Sequence, residues 1–246
     1  MLYHYFTAII HYCLTMTFHI ITLFPKSFDS YLGESILKRA IEDKKIKVKF
    51  YNPRDFTKEK FKRVDRPPFG GGPGMVIQAE PVIKAVEATL RRIKNSKLRI
   101  KGNHNSKFTI PNLKIIFLSP SGKQFTNKYA ETVSKKYTDI IILSGRYEGI
   151  DSRVKKVFKM DEISIGPFIL TGGELPAMIL VDVISRQRRG ILGNFDSLEE
   201  RRISSSEVYT RPESFKYKGK SYKVPKILLS GHHKNIEAWK KKGQKG

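Results

Sequence analysis

The chain has 246 residues, of which 39% are apolar, so it is long enough for one large domain, or one domain with an appendage, around a packed core. Lys and Arg number 47 against 23 Asp and Glu, and the net charge of +24 favours a polyanionic partner (RNA, DNA or an anionic membrane) over a small neutral one. The single cysteine, Cys13, excludes an internal disulfide framework and a multi-cysteine zinc site, and it favours a reducing compartment such as the cytoplasm.

The first 25 residues carry no charged side chain, and "YFTAIIHYCLTMTFHIITLF" is long enough to be considered as a membrane segment. Histidines, threonines and tyrosines interrupt it, and no basic residue precedes it as in a signal peptide. We therefore expect Phe18 to Phe24 to form a buried first strand, with residues 1–15 an extension or a misassigned start. A membrane anchor is the alternative interpretation.

A helix with apolar residues at helical spacing is predicted next, within "PKSFDSYLGESILKRAIEDKKI", and "KVKFYNP" predicts a second short strand. The following segment, "RDFTKEKFKRVDRPPFGGGPGM", is a long basic loop rich in Pro and Gly, whose length indicates a functional or mobile segment. "AEPVIKAVEATLRRI" predicts an amphipathic helix, and residues 93–112 predict an exposed insertion or hairpin.

Three apolar runs then end in glycine-bearing turns: "KIIFLSPSG", "DIIILSGRYEGID" and "EISIGPFILTGG". Continuous apolar residues indicate strands buried on both faces, as in a parallel sheet under helices, and "KYAETVSKKY" and "ELPAMILVDVISRQ" supply the helices. The pattern predicts an α/β domain with a mostly parallel sheet that ends near Arg188. A charged linker and one closing helix, "HHKNIEAWKKK", are expected beyond it.

Glycine turns at the carboxyl edge of a parallel sheet are where open α/β domains bind ligands, so the three turns are expected to converge on one pocket. Gly172 and Gly173 precede a helix, which suggests a phosphate cradle, but no basic residue occurs from Gly166 to Ser185. Glu174 in the first helical turn would repel a phosphate. A neutral or cationic ligand is therefore predicted, with a plain turn as the alternative.

Two more segments contain residues that could bind a ligand. In "GRYEGID", Tyr147 could stack on a flat ring and Glu148 could accept hydrogen bonds, whereas the alternative is a capped turn with Asp151 as a helix N-cap. In "VDRPPFGGGPGM", the glycine-rich backbone could lie flat against a planar base whose polar edge bonds Asp65, whereas the alternative is a flexible lid. The six histidines have no ligand spacing, so no metal site is predicted.

Nine motifs occur in one order along the chain: "LFP", "PRDF", "GGGPGM", "LSPSG", "GRYEGID", "SIGPFILTGGELPAM", "SRQRRGILGN", "YTRPE" and "LLSGHH". Together they closely resemble the bacterial tRNA (guanine-37-N1)-methyltransferases, a family of the SPOUT class, from about Met16 to Trp239. The resemblance implies an α/β fold with a deep trefoil knot, a small C-terminal helical extension, Met16 as the natural start, and a cytoplasmic homodimer with its active site between subunits. It implies a knotted domain at 16–187, a linker at 188–212 and a short tRNA-binding domain at 213–246.

The resemblance implies S-adenosylmethionine as methyl donor and a tRNA with guanine at position 37 as substrate. The cofactor would contact residues of the three glycine turns: Phe117, Leu118, Ser119, Pro120, Gly145, Tyr147, Glu148, Gly149, Ser164, Ile165, Gly166, Pro167, Phe168, Ile169, Leu170, Gly172, Gly173 and Pro176. The target base would contact Asp65, Gly72, Pro73 and Gly74. The resemblance also implies a divalent ion such as Mg²⁺, for which the sequence offers no ligand cluster.

Methylation at N1 requires a base near N1 and a cation near O6. Arg186 matches the catalytic arginine of the family. Where the family has an acidic general base, an ungapped alignment gives Arg201, so we assign the base to neighbouring Glu200, with Asp196 or no base as alternatives. Pro167 replaces a usual aspartate. These departures keep open a degenerate relative that binds S-adenosylmethionine or RNA without methyl transfer.

Overall fold

The computed structural model describes residues 15–101, 112–193 and 207–242. The chain divides into two compact units, with the division between Gly193 and Asn194. Most of the linker predicted at 188–212 lies outside the described residues, and so does the N-terminal extension before Thr15. The domain boundaries therefore stay predictions.

The first unit contains a five-stranded sheet in the order β2-β1-β6-β5-β7, in which every neighbouring pair is parallel. This confirms the predicted parallel α/β sheet. A separate two-residue ladder joins β3 to β4. The strands are β1 Met16–Ile21, β2 Ile46–Tyr51, β3 Asp65–Arg66, β4 Val76–Ile77, β5 Leu113–Gln124, β6 Asp139–Leu143 and β7 Asp161–Ser164.

The first strand starts at Met16, and its Phe18 and Ile20 are fully buried, as the strand interpretation of the N-terminal segment requires. Across the described parts of the chain, no helix has the length and apolar character needed to cross a membrane. The trefoil knot stays an implication of the family resemblance.

Six α-helices and two short 3₁₀ helices, Pro25–Phe28 and Pro53–Phe56, accompany the described strands of the first unit. The α-helices are α1 Asp29–Leu32, α2 Ser35–Glu42, α3 Ala79–Lys101, α4 Asn127–Lys136, α5 Arg153–Val157 and α6 Glu174–Arg186.

Helix α3 corrects one prediction, because residues 93–101 continue the helix instead of starting an insertion. Val82, Val86 and Ile93 share one buried face, so the apolar spacing of the helix extends into the polar segment. Residues 102–111, the rest of the predicted insertion, lie outside the described residues.

The core lies on both faces of the sheet, and β6 is its centre. Ile140 and Ile142 belong to one buried cluster, which includes residues of α2, α4 and α6, while Ile141 and Leu143 belong to a second, which includes residues of α3 and α5. Burial on both faces explains why this strand is a continuous apolar run.

The second unit contains β8 Ser214–Tyr217 and β9 Lys220–Lys223, paired as an antiparallel hairpin, followed by α7 Lys226–Leu229 and α8 His233–Lys242. None of residues 207–241 is buried. From the sequence pattern alone, the charged linker is expected to continue from Arg188 to the closing helix, and the hairpin at residues 214–223 corrects that expectation. Positive φ angles at Lys218 and Gly219 form its two-residue turn, which is typical of tight hairpins with a right-handed twist.

Candidate functional site

A cavity of about 260 Å³ lies at the carboxyl ends of β6 and β7 and beside residues 118–120 in the middle of β5. The three glycine turns do converge there, as expected for an open parallel sheet. Its lining includes all the predicted cofactor residues except Phe117, Gly166 and Pro167, and it adds Ile163, which sequence reasoning missed. The lining residues are Leu118, Ser119, Pro120, Gly145, Tyr147, Glu148, Gly149, Ile163, Ser164, Ile165, Phe168, Ile169, Leu170, Gly172, Gly173 and Pro176.

The three predicted cofactor residues that do not line the cavity lie in different surroundings. Phe117 is buried in the cluster that includes α3 and α5, so it faces away from the cavity. Gly166 is buried beneath Phe168, whose ring lies 2.2 Å from where a Gly166 Cβ would be. Pro167 is exposed. Cofactor contact by these three residues stays a prediction that the cavity does not support.

An interruption in β5 shapes one wall of the cavity. The register of β5 against β7 shifts between Leu118 and Lys123, so residues 119–122 bulge out of the pairing with β7. At Gly122 a Cβ would lie 2.5 Å from the backbone nitrogen of Ile163, so the two strands pass too closely for any larger residue. The glycine of the "LSPSG" motif, Gly122, is therefore required by the close approach of β5 and β7.

Gly172 and Gly173 are needed because two loops touch. The Gly173 N–H donates to the Gly145 carbonyl at 2.8 Å, and Gly172 pairs with Arg146 in an isolated β-bridge. A Cβ on Gly173 would lie 2.9 Å from the Gly145 nitrogen, and one on Gly172 would lie 2.5 Å from Arg146 Nε. The glycine pair joins the turn after β6 to the start of α6, and both glycines also line the cavity.

A cation does lie beside this glycine pair, contrary to the sequence argument. Arg146 comes from the turn after β6, and its Nε is 2.9 Å from Glu174 Oε2, an ion pair without hydrogen-bond geometry. Glu174 is buried, and its other oxygen accepts a 3.0 Å hydrogen bond from the Thr22 hydroxyl. The cation is therefore matched by a carboxylate at the helix N-terminus, and this arrangement disfavours a phosphate.

The GRYEGID turn and the GGGPGM loop are joined by backbone hydrogen bonds. The Glu148 N–H donates to the Met75 carbonyl and the Ile77 N–H donates to the Gly149 carbonyl, both at 2.9 Å. A Cβ on Gly74 would lie 2.4 Å from Glu148 Oε1, so the Glu148 side chain rests against this glycine. The segments predicted to bind cofactor and substrate are therefore neighbours.

Two residues of these loops have distinctive local geometry. Tyr147 lines the cavity with φ of 60°, a conformation rare for a bulky residue and typical of functional turns. Asp151 is not the cap residue of α5, but its carboxylate accepts a hydrogen bond from the Arg153 N–H at 2.9 Å. The functional and capping interpretations of this turn are thus compatible.

Asp65 lies opposite Ile77 in the β3–β4 ladder, next to the same loop. Its carboxylate is 3.6 Å from Arg63 Nε. Gly72 and Pro73 are exposed, and Gly72 and Gly74 have positive φ angles of 108° and 85°. Glycines are required for these backbone turns, whichever role, base platform or lid, the loop has.

Arg186, one of the two predicted catalytic residues, does not line the cavity of its own chain. Arg186 is the last residue of α6, and a helical rise of about 1.5 Å per residue puts it roughly 15 Å along the axis from the cavity residue Pro176. Glu200, the predicted base, and its alternative Asp196 lie outside the described residues. Within residues 15–101, 112–193 and 207–242, no group of three His, Cys, Asp or Glu side chains could hold a metal ion.

Comparisons with known proteins identify a matching family and several similar enzymes. The model of the family described as "tRNA (Guanine-1)-methyltransferase TrmD" matches residues 16–246. The tRNA (guanine-N(1)-)-methyltransferase of Clostridioides difficile (strain 630) is 44% identical over 230 residues, which cover 92% of this chain and 91% of the relative. The enzyme of that name from Campylobacter jejuni subsp. doylei is 42% identical over 229 residues, covering 92% and 90%.

A solved structure agrees with these relatives. The crystal structure of the tRNA (m1G37) methyltransferase from Aquifex aeolicus superposes with a TM-score of 0.66 and 37% sequence identity, covering 92% of this chain and 88% of that one. The residues that the family model matches, 16–246, include residues of both compact units and the turns that line the cavity. The chain belongs to the tRNA (guanine-1)-methyltransferase family.

Proposed function

We propose that this protein transfers a methyl group from S-adenosylmethionine to N1 of guanine 37 in tRNA. One observation carries the proposal. The turn of Glu148 lines the cavity, and the same turn is hydrogen-bonded to the GGGPGM loop, beside which Asp65 lies. A cofactor in the cavity and a base against that loop would therefore be adjacent, as direct transfer requires.

The cavity has the chemistry that S-adenosylmethionine needs. Its walls include the apolar side chains of Leu118, Ile165 and Leu170, which suit the adenosine part. Among the described residues, no cation pairs with the Glu148 carboxylate, which also lines the cavity. An unpaired carboxylate favours a sulfonium cation over a phosphate. When bound, S-adenosylmethionine supplies an electrophilic methyl group.

Side chains of the protein would remove the proton from N1 and stabilise the charge on O6. Neutral guanine carries a proton on N1, which must leave as the new N–C bond forms. We assign proton acceptance to Glu200 and stabilisation of the negative charge that develops on O6 to Arg186. Asp65 and the Gly72–Gly74 backbone would orient the base after it has left its stack in the anticodon loop.

The position of Arg186 supports a homodimer. Because Arg186 lies at the far end of α6 from the cavity of its own chain, a second copy is the natural source of the arginine. Large apolar side chains near the cavity are also exposed, among them Ile169 at 84% and Leu175 at 57%. Exposed apolar side chains of this kind are typical of an interface between subunits.

We also propose a cytoplasmic location, because the tRNA substrate and the near absence of cysteine both suit a reducing compartment. The divalent ion implied by the resemblance has no candidate ligand cluster among the described residues. We therefore propose no position for it.

Methyl transfer is tested with purified protein, labelled S-adenosylmethionine and two unmodified tRNA transcripts that differ only in guanine or adenine at position 37. We expect label only in the guanine transcript, recovered as 1-methylguanosine after digestion to nucleosides. Cofactor binding without label in either transcript would contradict the proposal and favour the degenerate alternative. Loss of activity in Glu200→Gln but not in Asp196→Asn would support Glu200 as the base, and the opposite result would move that role to Asp196.

The shared active site is tested by mixing two inactive variants. Arg186→Gln and Gly173→Ala chains are each expected to form inactive homodimers, because one lacks the arginine and the other has a damaged cavity. If Arg186 acts on the cavity of its partner, a mixed dimer contains one intact site and activity returns. If it acts within its own chain, mixing restores nothing. Arg91→Gln, an exposed arginine on α3, is the matched control.

A further inference from the structure

Glu162 and Lys155 form an ion pair just outside one wall of the cavity. The Lys155 ammonium nitrogen lies 3.1 Å from each carboxylate oxygen of Glu162. Glu162 belongs to the edge strand β7 and precedes Ile163 and Ser164, which line the cavity, whereas neither member of the pair does. The side chains are 35% exposed for Lys155 and 32% for Glu162, so both are largely covered. The pair is therefore adjacent to the site without belonging to its surface.

Two serine hydroxyls connect this pair to the β5 bulge, residues 119–122. Ser119 Oγ lies 2.9 Å from Ser121 Oγ and accepts a hydrogen bond from the Ser121 N–H at 3.3 Å. Burial acts to raise the pKa of Glu162, but hydrogen bonds from both hydroxyls and from Lys155 outweigh it and lower the pKa below 4.5. The carboxylate is therefore ionised at neutral pH and accepts hydrogen bonds from the bulge.

The charge on Glu162 sets the direction of these hydrogen bonds. An ionised carboxylate only accepts, whereas each serine hydroxyl donates one proton. Ser119 and Ser121 have two such protons between them, so one can join the two hydroxyls and the other can bond the carboxylate. An amide in place of the carboxylate would offer N–H groups to the same hydroxyls, and the direction would be lost.

The β5 bulge depends on such side-chain contacts because its residues have left the pairing with β7. Ser119 and Pro120 line the cavity, whereas Ser121 does not. The hydrogen bonds thus link a residue in the cavity wall, Ser119, to a carboxylate outside it. A change at the carboxylate would be transmitted to the wall through the two serines.

Lys155 also contacts the strand that leads into the bulge. Its Nζ lies 5.3 Å from the centroid of the Phe117 ring, which is a cation–π distance. Phe117 lies opposite Glu162 in the β5–β7 ladder, so the ammonium group contacts the paired part of β5 and the carboxylate at once. The ring restrains the lysine, and the lysine restrains the carboxylate to which the serines donate.

We propose that Glu162 and Lys155 are positioning residues for the cofactor, which hold the β5 bulge in the conformation that completes the cavity wall. They act through Ser119 and Ser121 and set the affinity for S-adenosylmethionine, while the transfer step itself does not depend on them. The inference rests on the proposed function for the identity of the ligand.

The first test compares two glutamates by calorimetric titration with S-adenosylmethionine, with methyl transfer kinetics in parallel. We expect Glu162→Gln to weaken cofactor binding about tenfold and to raise the KM for the cofactor by the same factor, with kcat unchanged, because hydrogen bonds to a charged acceptor are lost. Glu131→Gln is the matched control, since Glu131 also pairs with a lysine and is 38% exposed, but lies on α4 and does not line the cavity. It should change neither value.

A double-mutant cycle tests whether Glu162 acts through the serines. Ser121→Ala removes one hydroxyl without altering a residue that lines the cavity, and it should weaken cofactor binding about threefold. The double variant should bind no more weakly than Glu162→Gln alone, because both changes break the same set of hydrogen bonds. Two independent structural roles would instead give losses that add.

Lysine variants test the other member of the pair. Lys155→Arg keeps the cation and should bind S-adenosylmethionine as the unaltered protein does. Lys155→Met should bind it about threefold more weakly, since a partly exposed ion pair contributes less than the hydrogen bonds from the serines. Lys135→Met, which removes the partner of Glu131, is the control and should leave cofactor affinity unchanged.

Three results would overturn the inference: unchanged cofactor affinity in Glu162→Gln, equal losses in Glu162→Gln and Glu131→Gln, or additive losses in the cycle. If Glu162→Gln does not fold, unchanged affinity in both Ser121→Ala and Lys155→Met would overturn it instead. The proposed function fails separately, if the unaltered protein binds S-adenosylmethionine but methylates neither transcript. The bulge test remains readable in that case, because it measures cofactor binding.

Discussion

The two compact units use aromatic and aliphatic residues in opposite ways. In the first unit Phe18, Phe28 and every residue of β6 are buried, whereas Phe215 and Tyr217 of the second unit are more than half exposed. The first unit is stabilised by burial from water on both faces of a sheet. The second has no buried residue among 207–241 and depends on a tight turn and stacked rings. Its side chains therefore remain available to a partner, while those of the first fix the geometry of a cavity.

Truncation of a core residue should produce the largest effect. Ile142→Ala removes a fully buried side chain from the central strand, so we expect the free energy of unfolding to fall by about 2–5 kcal/mol. Leu229→Ala in α7, where the side chain is 50% exposed, should change it by less than about 0.5 kcal/mol. Urea denaturation followed by circular dichroism measures both. Similar losses of unfolding free energy in the two variants would contradict the conclusion that only the first unit is stabilised by a buried core.

Substitution of the glycine pair should come next. Gly173→Ala brings a Cβ to 2.8 Å from Ser144 Oγ and 2.9 Å from the Gly145 nitrogen, so the turn after β6 must shift. We expect a loss of about 1–3 kcal/mol in stability and weaker S-adenosylmethionine binding by calorimetry. Gly193→Ala, where a Cβ would meet nothing within 4 Å, is the control and should change neither. Unchanged cofactor affinity in Gly173→Ala would show that the contact between Gly173 and the turn after β6 does not affect cofactor binding.

Acidification should weaken the first unit through a buried polar group. His19 lies between the Tyr51 hydroxyl at 3.1 Å and the Asp139 carboxylate at 3.2 Å. Burial lowers the pKa of His19 below its ordinary value of 6.5, more than Asp139 raises it. For Asp139 burial acts to raise the pKa, but the hydrogen bonds from His19 and Lys97 outweigh it and lower the pKa below 3.8.

The unfolded chain therefore binds protons more readily at both groups, so their stabilising contributions are complete above the ordinary pKa values and decline as the pH falls. We expect the urea midpoint to decrease between pH 7.5 and pH 5.5, an interval in which His19 dominates. His19→Gln should flatten that dependence. A wild-type midpoint that is constant over this interval would contradict the assignment.

The smallest predicted effect concerns a helix cap. Thr126 Oγ1 accepts a hydrogen bond from the Tyr129 N–H at the start of α4. Thr126→Ala should cost about 1 kcal/mol of stability, whereas Thr126→Ser keeps the acceptor and should cost less. Thermal denaturation compares the two, and equal melting temperatures would show that the cap contributes nothing.

Continuous apolar runs made the sheet predictable, because strands buried on both faces need no alternation and each run ended in a glycine turn. The ordered motifs identified nearly all of the cavity lining. Contacts between distant segments were not predictable: Arg146 is 28 residues from Glu174 along the chain, and nothing local indicates that they pair. Alternation in β8 and β9 is visible in hindsight, but lysines at every second position resemble a linker.

The hydrogen bonds between the GRYEGID turn and the GGGPGM loop have a thermodynamic consequence. A ligand that immobilises Glu148 also immobilises Met75 and Ile77, since their backbones are bonded to that turn. Binding of S-adenosylmethionine should then preorganise the loop to which we assign the target nucleotide. Such linkage is reciprocal, so tRNA must raise cofactor affinity by the same factor. The affinity of the enzyme for each ligand would therefore depend on whether the other ligand is already bound.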